Sequence, residues 1–269
     1  MKVIKYKKSF AEEKAEREHY SGLKIGLPGF ILGIIILISC FALIYFNKSY
    51  FVQKYGFLIF LLIIAGFFIT KFFIERSEAH FFQRDIAEKG VIGEERIEKV
   101  LRNYPDDYIL VFNYEIPEPR IGDIDALLIS PKGIFILESK NYNGTFRLSG
   151  SDLYKKTRFC TYKLLIKDVV GQIKRQKEAL ERYLKNNGIE IPIYPFLVFT
   201  SNHSFVEQPS PQTEIFVTHY KLLPHEIYKF ENLPNYSPEL QEKILKALGL
   251  ENNSTVLNKV WIKIEIWLI

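Results

Sequence analysis

The stretch GDIDALLISPKGIFILESKNYNG, residues 122–144, decides the fold of the soluble part of this chain. It contains two apolar runs, DIDALLIS (123–130) and IFILESK (134–140), which are separated by the short turn PKG (131–133). Two strands that are joined by so short a turn pair as an antiparallel hairpin. We therefore predict a β-hairpin at the centre of a folded domain.

Acidic residues interrupt both strands of this hairpin. Alternate residues of a strand share a face, so Asp123 and Asp125 point to one side, and Glu138 and Lys140 do likewise. Burying an ionised carboxylate is costly unless it is paired or binds a metal ion. Two carboxylates from the hairpin and a third from Glu94 supply hard oxygen ligands suited to Mg²⁺, with Mn²⁺ as a substitute. With the Lys140 ammonium available for a water or a phosphate oxygen, the arrangement suits phosphodiester hydrolysis.

Helical and strand patterns alternate on both sides of the hairpin. The predicted elements are a helix at 93–104, a strand at 108–116, the hairpin, a short strand at 145–148, a helix at 168–187, strands at 191–200 and 214–219, and a helix at 237–249. Such alternation indicates a mixed α/β layer fold. The last stretch, VWIKIEIWLI (260–269), alternates like a strand, and an interfacial membrane segment is the alternative.

Two uncharged apolar runs precede the soluble part. Residues 27–46 contain no charged side chain, and the second run extends over 56–74 if Lys71 snorkels to the headgroups. About 20 apolar residues are enough to cross a hydrocarbon core of ~30 Å. We predict a transmembrane helical hairpin at 27–74 that anchors the chain in the lipid bilayer. For the second run, a buried core helix is the alternative.

Lysine and arginine are distributed unevenly around these runs. Residues 1–26 hold seven of them, whereas the connecting loop 47–55 holds only Lys48 and Lys54. The positive-inside rule then places both termini and the soluble domain in the cytoplasm, with two spans in the cell membrane. Residues 1–89 carry the whole net charge of +5. The basic pI is therefore no argument for nucleic-acid binding, because anionic lipid attracts the same residues.

Composition excludes several classes of protein. A hydrophobic content of 48% is too high for an intrinsically disordered chain. Two cysteines, Cys40 and Cys160, are too few for a disulfide framework or a four-ligand zinc site. A small transporter is disfavoured, because the two spans carry no charge besides Lys71 and enclose no evident path.

The order of motifs resembles the nuclease-related domain, NERD, a branch of the PD-(D/E)xK nuclease superfamily. The motifs are GVIGEE (90–95), the hairpin stretch, and GQ (171–172) at the start of a helix, over about residues 88–200. The resemblance implies an α/β, restriction-endonuclease-like mixed sheet flanked by helices, here preceded by the two-helix transmembrane hairpin. It also implies a metal-dependent nuclease.

The resemblance carries residue roles to this sequence. It implies catalytic roles for Asp125, Glu138, Lys140, Glu94 and Gln172, and metal ligation by Asp125, Glu138, Glu94 and the Ser139 carbonyl. Two positions depart from the family pattern, since Ala126 stands where His is frequent and Ser139 where Val is common. A buried structural salt-bridge cluster is the alternative for the hairpin residues.

Basic residues concentrate just after the hairpin. Residues 147–185 hold 11 basic and 4 acidic side chains, whereas residues 90–146 hold 6 and 10. We expect this segment to meet the phosphates of DNA or RNA, and a solvated face or a surface on anionic lipid is the alternative. The predicted contacts are Lys155, Lys156, Arg158, Lys163, Lys167, Lys174 and Arg175.

These expectations combine into one hypothesis, a membrane-anchored Mg²⁺-dependent nuclease. The alternative is a catalytically inactive module of the same fold that binds nucleic acid or a protein at the membrane. Homo-oligomerisation stays open. The expected domains are a basic N-terminal segment at 1–26, the hairpin at 27–74, a helical linker at 75–89, the nuclease-like domain at 90–220, and a C-terminal helix and strand extension at 221–269.

Overall fold

The computed structural model describes residues 1–5, 8, 10–46, 50–118, 121–207 and 214–250. The chain divides into two compact units. The helical unit is Ala11–Lys89, and the α/β unit combines Met1–Phe10 with Gly90–Ile269. The helical unit is thus an insertion in the chain of the α/β unit. The predicted strand at 260–269 lies outside the described residues.

Two long helices dominate the first part of the chain, α1 (Phe10–Phe46) and α2 (Tyr50–Leu101). The second begins inside the segment that was predicted as a loop, and it continues through the predicted linker into the α/β unit. The predicted helix at 93–104 is therefore the last part of α2 and not a separate element. Both helices are long and apolar enough to cross a membrane, by length and composition.

Within the helical unit, glycines of α1 face side chains of α2. A Cβ added to Gly33 would lie 1.9 Å from Thr70 Oγ1, and one added to Gly29 would lie 2.2 Å from Phe73 Cγ. Because the partner number falls as the glycine number rises, the two helices run antiparallel. Small residues allow such a close backbone approach, which is a common way for helices to associate in lipid.

The α/β unit is built on a six-stranded sheet in the order β1-β2-β3-β4-β8-β10, and a four-stranded sheet in the order β7-β6-β5-β9. The strands are β1 (Lys2–Lys5), β2 (Ile109–Glu115), β3 (Asp123–Ser130), β4 (Gly133–Lys140), β5 (Gly144–Ser149), β6 (Asp152–Lys156), β7 (Tyr162–Ile166), β8 (Ile193–Phe199), β9 (Ser204–Val206) and β10 (Phe216–His219). The remaining helices are α3 (Val169–Asn186), α4 (Leu223–Tyr228) and α5 (Pro238–Ala247).

Helices cover both faces of the larger sheet. On β3, Leu128 packs in one hydrophobic cluster with Ile97 of α2, and its neighbour Leu127 packs in another with Ile173 of α3. All four side chains are fully buried. Neighbouring residues of a strand point to opposite faces, so a strand that is covered on both sides reads as one continuous apolar run. This is why the central runs ALLI (126–129) and IFIL (134–137) are apolar at every position.

The predicted fold class is confirmed, since a mixed sheet flanked by helices follows two long apolar helices. The β3–β4 hairpin lies where it was predicted, and α3 matches its predicted helix to within a residue at each end. Five elements were not predicted, namely β1, β6, β7, β9 and α4. Of the residues placed in a C-terminal extension, Ile227 and Ile244 are buried in the two clusters of the α/β unit.

Candidate functional site

The candidate site begins where β3 and β4 separate. Their antiparallel ladder ends at the pair Ala126 and Leu137. Beyond that pair, β3 continues along β2 as far as Asp123, and β4 continues along β8 as far as Lys140. Past this pair, β3 and β4 no longer pair with each other, so side chains can enter the gap between their ends.

The side chain of Asp125, on β3, occupies part of the gap and contacts β4. Its Oδ2 accepts hydrogen bonds from the Ser139 backbone N–H at 2.7 Å and from the Ser139 hydroxyl at 3.0 Å. The carboxylate thus takes the place of a strand partner for β4. Burial, reinforced by the nearby Glu138 carboxylate, raises the pKa of Asp125 to about 7.

Glu138 is the most buried member of the site, with its side chain 3% exposed. Its Oε1 accepts hydrogen bonds from Lys140 Nζ at 2.6 Å and from Gln172 Nε2 at 3.1 Å. Its Oε2 is buried and has no hydrogen-bond partner. A buried carboxylate oxygen without a donor is costly, so a further donor or a cation is expected at this position.

The hairpin residues of the site bring one cation, Lys140, to two carboxyl groups, those of Asp125 and Glu138. Burial lowers the pKa of Lys140, but Glu138 and Asp125 more than offset this, and the net result is a raised pKa. Lys140 is therefore a firmly held cation, and it stands beside two carboxylates. The hard oxygen donors and the partnerless Glu138 Oε2 fit a divalent cation such as Mg²⁺.

Glu94 is buried on α2 at 8% exposure, and its Oε2 accepts a hydrogen bond from Asn113 Nδ2 at 3.4 Å. The preceding Gly93 brings this turn of the helix close to the site, since a Cβ there would lie 2.8 Å from Thr200 Oγ1 and 3.5 Å from Ser139 Oγ. Among the described residues, no three His, Cys, Asp or Glu side chains are grouped to hold one metal ion. A metal-binding role for Glu94 therefore stays a prediction.

Three polar residues that support the site were not predicted for it. Arg96 donates from Nη1 to the Thr200 carbonyl at 2.6 Å, which ties α2 to the end of β8. Gln176 is fully buried and donates to the Asp123 carbonyl at 3.0 Å. Asn113 adopts a left-handed φ of 57° within β2, which is uncommon outside glycine. Only Gln176 carried a sequence signal, because it follows Gln172 by one helical turn.

The predicted nucleic-acid contacts divide into two groups. On α3, Lys174 is ion-paired with Glu214 at 2.8 Å, and Arg175 with Asp168 at 2.8 Å. The other five residues lie on the smaller sheet or just beyond it. They are Lys155, Lys156, Arg158, Lys163 and Lys167, and all except the partly buried Lys155 are exposed.

A mixed sheet whose separating strands present two carboxylates and a lysine is consistent with a nuclease-like α/β fold. Residues 89–200 match the family model of the nuclease-related domain. The resemblance inferred from the motifs is thereby confirmed for these residues, which make up less than half of the 269-residue chain. Comparisons with curated proteins and with solved structures found no match.

Proposed function

We propose that the chain is a membrane-anchored nuclease that hydrolyses phosphodiester bonds of DNA or RNA, with Mg²⁺ bound at Asp125 and Glu138. The observation that carries this proposal is the buried, partnerless Glu138 Oε2 beside Asp125, with Lys140 Nζ 2.6 Å from the other oxygen. A salt bridge that served stability alone would be expected to have its buried carboxylate oxygens satisfied by donors, whereas Glu138 Oε2 has none among the described residues.

Each residue of the site has a defined task in this proposal. A bound Mg²⁺ would supply charge neutralisation on the phosphate and a more acidic water. Gln172 orients the Glu138 carboxylate, and Ser139 orients Asp125 through its backbone N–H and hydroxyl. Lys140 Nζ donates to the attacking water or to a phosphate oxygen, where a preorganised cation lowers the barrier most.

The test uses the full chain in detergent with labelled DNA and RNA oligonucleotides. We expect cleavage with Mg²⁺ or Mn²⁺ and none with EDTA. Glu138→Gln should lower the rate by at least about 100-fold, because a metal ligand is lost while the shape is kept. The matched control is Glu190→Gln, an exposed carboxylate that pairs loosely with Lys185 at 3.9 Å.

The alternative is an inactive module that binds nucleic acid or a protein partner. It is favoured by the finding that only two of the described acidic side chains converge at the site, with no third in the same group. Oligonucleotide binding without cleavage in both Mg²⁺ and Mn²⁺ would contradict the nuclease and support the module. Cleavage that persists in Glu138→Gln would point to a contaminating enzyme.

We also propose that residues 27–74 form a two-span hairpin, with both termini and the α/β unit in the cytoplasm. The connectivity supports this arrangement, because β1 and the strands after residue 90 belong to the same unit. The inserted helices must therefore leave that unit and return to it, which requires an even number of membrane crossings.

Native cysteines allow this topology to be tested. Cys160 is exposed in the α/β unit, and Cys40 is buried in the helical unit. In intact cells, a membrane-impermeant maleimide should label the protein only after permeabilisation, and Cys160→Ser should abolish that labelling. In the Cys160→Ser background, Lys48→Cys should be labelled from outside. Labelling of Cys160 in intact cells would reverse the proposed orientation.

A further inference from the structure

The β6–β7 hairpin ends in a turn that is held together by its own hydrogen bonds. The Thr157 N–H donates to the Thr161 carbonyl at 2.7 Å, and the Cys160 N–H donates to the Thr157 carbonyl at 3.1 Å. The hydroxyls of Thr157 and Thr161 lie 2.7 Å apart. Cys160 takes a left-handed φ of 59° to complete the turn. The tip, residues 157–161, is therefore a defined structure.

This tip presents an aromatic ring to solvent. Phe159 is 89% exposed, the largest exposure among the large hydrophobic side chains of the described residues. By contrast, the phenylalanines at 112, 135, 146, 196 and 199 are at most 1% exposed. At this exposure the Phe159 ring contributes little to the packed core of the unit. An aromatic ring that projects from a hydrogen-bonded turn offers a large contact area to a partner, and the surrounding charge bears on what that partner is.

The charge around the tip identifies the chemistry of that partner. Residues 153–167 contain five basic side chains and no acidic one. Arg158 adjoins the ring in sequence, and Lys156 and Lys163 are exposed on the two strands behind it. A polyanion with flat apolar surfaces matches this pattern, and single-stranded nucleic acid combines phosphates with unstacked bases.

The hairpin continues from the edge of the candidate site. Strand β5 starts four residues after Lys140, and its Gly144 lies so close to Lys155 of β6 that an added Cβ would be 2.9 Å from Lys155 Cε. Phe159 follows Lys155 by four residues, or at most about 13 Å of extended chain. Along this route the α-carbons of Lys140 and Phe159 are at most about 35 Å apart, a span of about ten nucleotides at 3.4 Å each.

We propose that Phe159 stacks on an unpaired base, so that the substrate of the proposed nuclease is single-stranded nucleic acid or a duplex with a single-stranded segment near the cleaved bond. The description of the bound nucleic acid as a substrate rests on the proposed nuclease function. The stacking contact itself does not require catalysis. Arg158, Lys156 and Lys163 hold the neighbouring phosphates. The continuity with the β4 edge favours nucleic acid over a lipid surface.

The experiment measures binding without catalysis. The full chain in phosphatidylcholine nanodiscs is titrated in EDTA with a fluorescent 20-mer of single-stranded DNA or RNA, and with the blunt DNA duplex of the same sequence. We expect Phe159→Ala to weaken single-strand binding by about 5- to 150-fold, the effect of losing one base–aromatic stack. Duplex binding should change less than twofold, and Phe159→Trp should retain single-strand affinity.

Phe205→Ala is the matched control, because this phenylalanine is 68% exposed on β9 of the same sheet and should leave both affinities unchanged. The proposal would be overturned if Phe159→Ala weakened single-strand and duplex binding equally, or if it left the single-strand affinity unchanged. It would also be overturned if the unaltered protein bound neither the single strand nor the duplex. Quenching of the added fluorescence in Phe159→Trp by brominated phosphatidylserine, but not by the oligonucleotide, would assign the ring to lipid instead. Selective loss of single-strand binding in a protein that never cleaves would contradict the nuclease and leave this inference standing.

Discussion

Replacing Lys140 by alanine is expected to lower the rate of phosphodiester cleavage by about 10²- to 10⁴-fold, the usual range for a lost catalytic proton donor or charge stabiliser. Among the described residues, the Lys140 ammonium is the only cation in contact with the Glu138 carboxylate, with Nζ 2.6 Å from Oε1. Because Lys140 is not among the predicted metal ligands, Mg²⁺ binding should persist. The measurement is single-turnover cleavage at saturating Mg²⁺, with Mg²⁺ affinity determined in parallel.

The same substitution has a second expected effect, on stability. Removing Lys140 leaves the Glu138 carboxylate, which is 3% exposed, with Gln172 as its remaining donor. Breaking a buried ion pair from one side costs about 3–5 kcal/mol. In EDTA we therefore expect a lower melting temperature, and Mg²⁺ should restore much of the difference because a cation again faces the carboxylates.

Two further variants separate catalysis from folding. Lys140→Arg keeps the charge but changes its geometry, so it should retain stability and still lose most of the rate. Lys185→Ala removes a lysine whose side chain is 75% exposed, and it should change neither quantity. Full activity in a folded Lys140→Ala protein would remove this residue from the mechanism and favour the structural salt-bridge interpretation.

The centre of the site could be predicted because local rules determine it. A turn as short as Pro131 and Lys132 allows only an antiparallel pairing of β3 with β4, and the two-residue period of a strand places Glu138 and Lys140 on one face. Helical periodicity placed α3, and the resemblance to the nuclease-related domain singled out Gln172 on it. These relations involve residues that are close in sequence, so they need no knowledge of the remaining chain.

The geometry that completes the site could not be predicted in the same way. The separation of β3 from β4 after Ala126 and Leu137 depends on how β2 and β8 hold the two strand ends. The left-handed turn of the backbone at Asn113, which directs an amide towards Glu94, follows from packing and not from a local pattern. Both features join residues that are far apart in sequence.

Strand β1 is the clearest case of such a long-range feature. Its four residues, KVIK, have no turn signal and lie in a segment that was predicted only as a basic cytoplasmic N-terminal segment. In the structure they pair in parallel with β2, with Ile4 beside Val111. Parallel pairing requires a connection between the strands, and here the whole helical unit provides it.

Replacing Ile4 by aspartate is therefore expected to destabilise the α/β unit by at least about 3 kcal/mol, because it removes a core side chain and buries a carboxylate without a partner. Ile4 is 2% exposed and belongs to the hydrophobic cluster that α3 covers. For a unit of this size, the loss corresponds to a fall in melting temperature of about 6–12 °C. Thermal unfolding of the full chain in detergent, followed by protease resistance of the α/β unit, measures it.

Lys2→Ser is the matched control, since Lys2 lies on the same strand and is exposed. It should leave the melting temperature within about 1 °C, as is usual for surface substitutions. An unchanged melting temperature in Ile4→Asp would contradict the place of β1 in the core. If the expected loss is found, a fragment that starts at residue 75 should show the same instability, because it lacks β1 and exposes the edge of β2. The N-terminal segment would then be part of the fold that holds Asp125 and Glu138 in place, as well as a flank of the membrane helices.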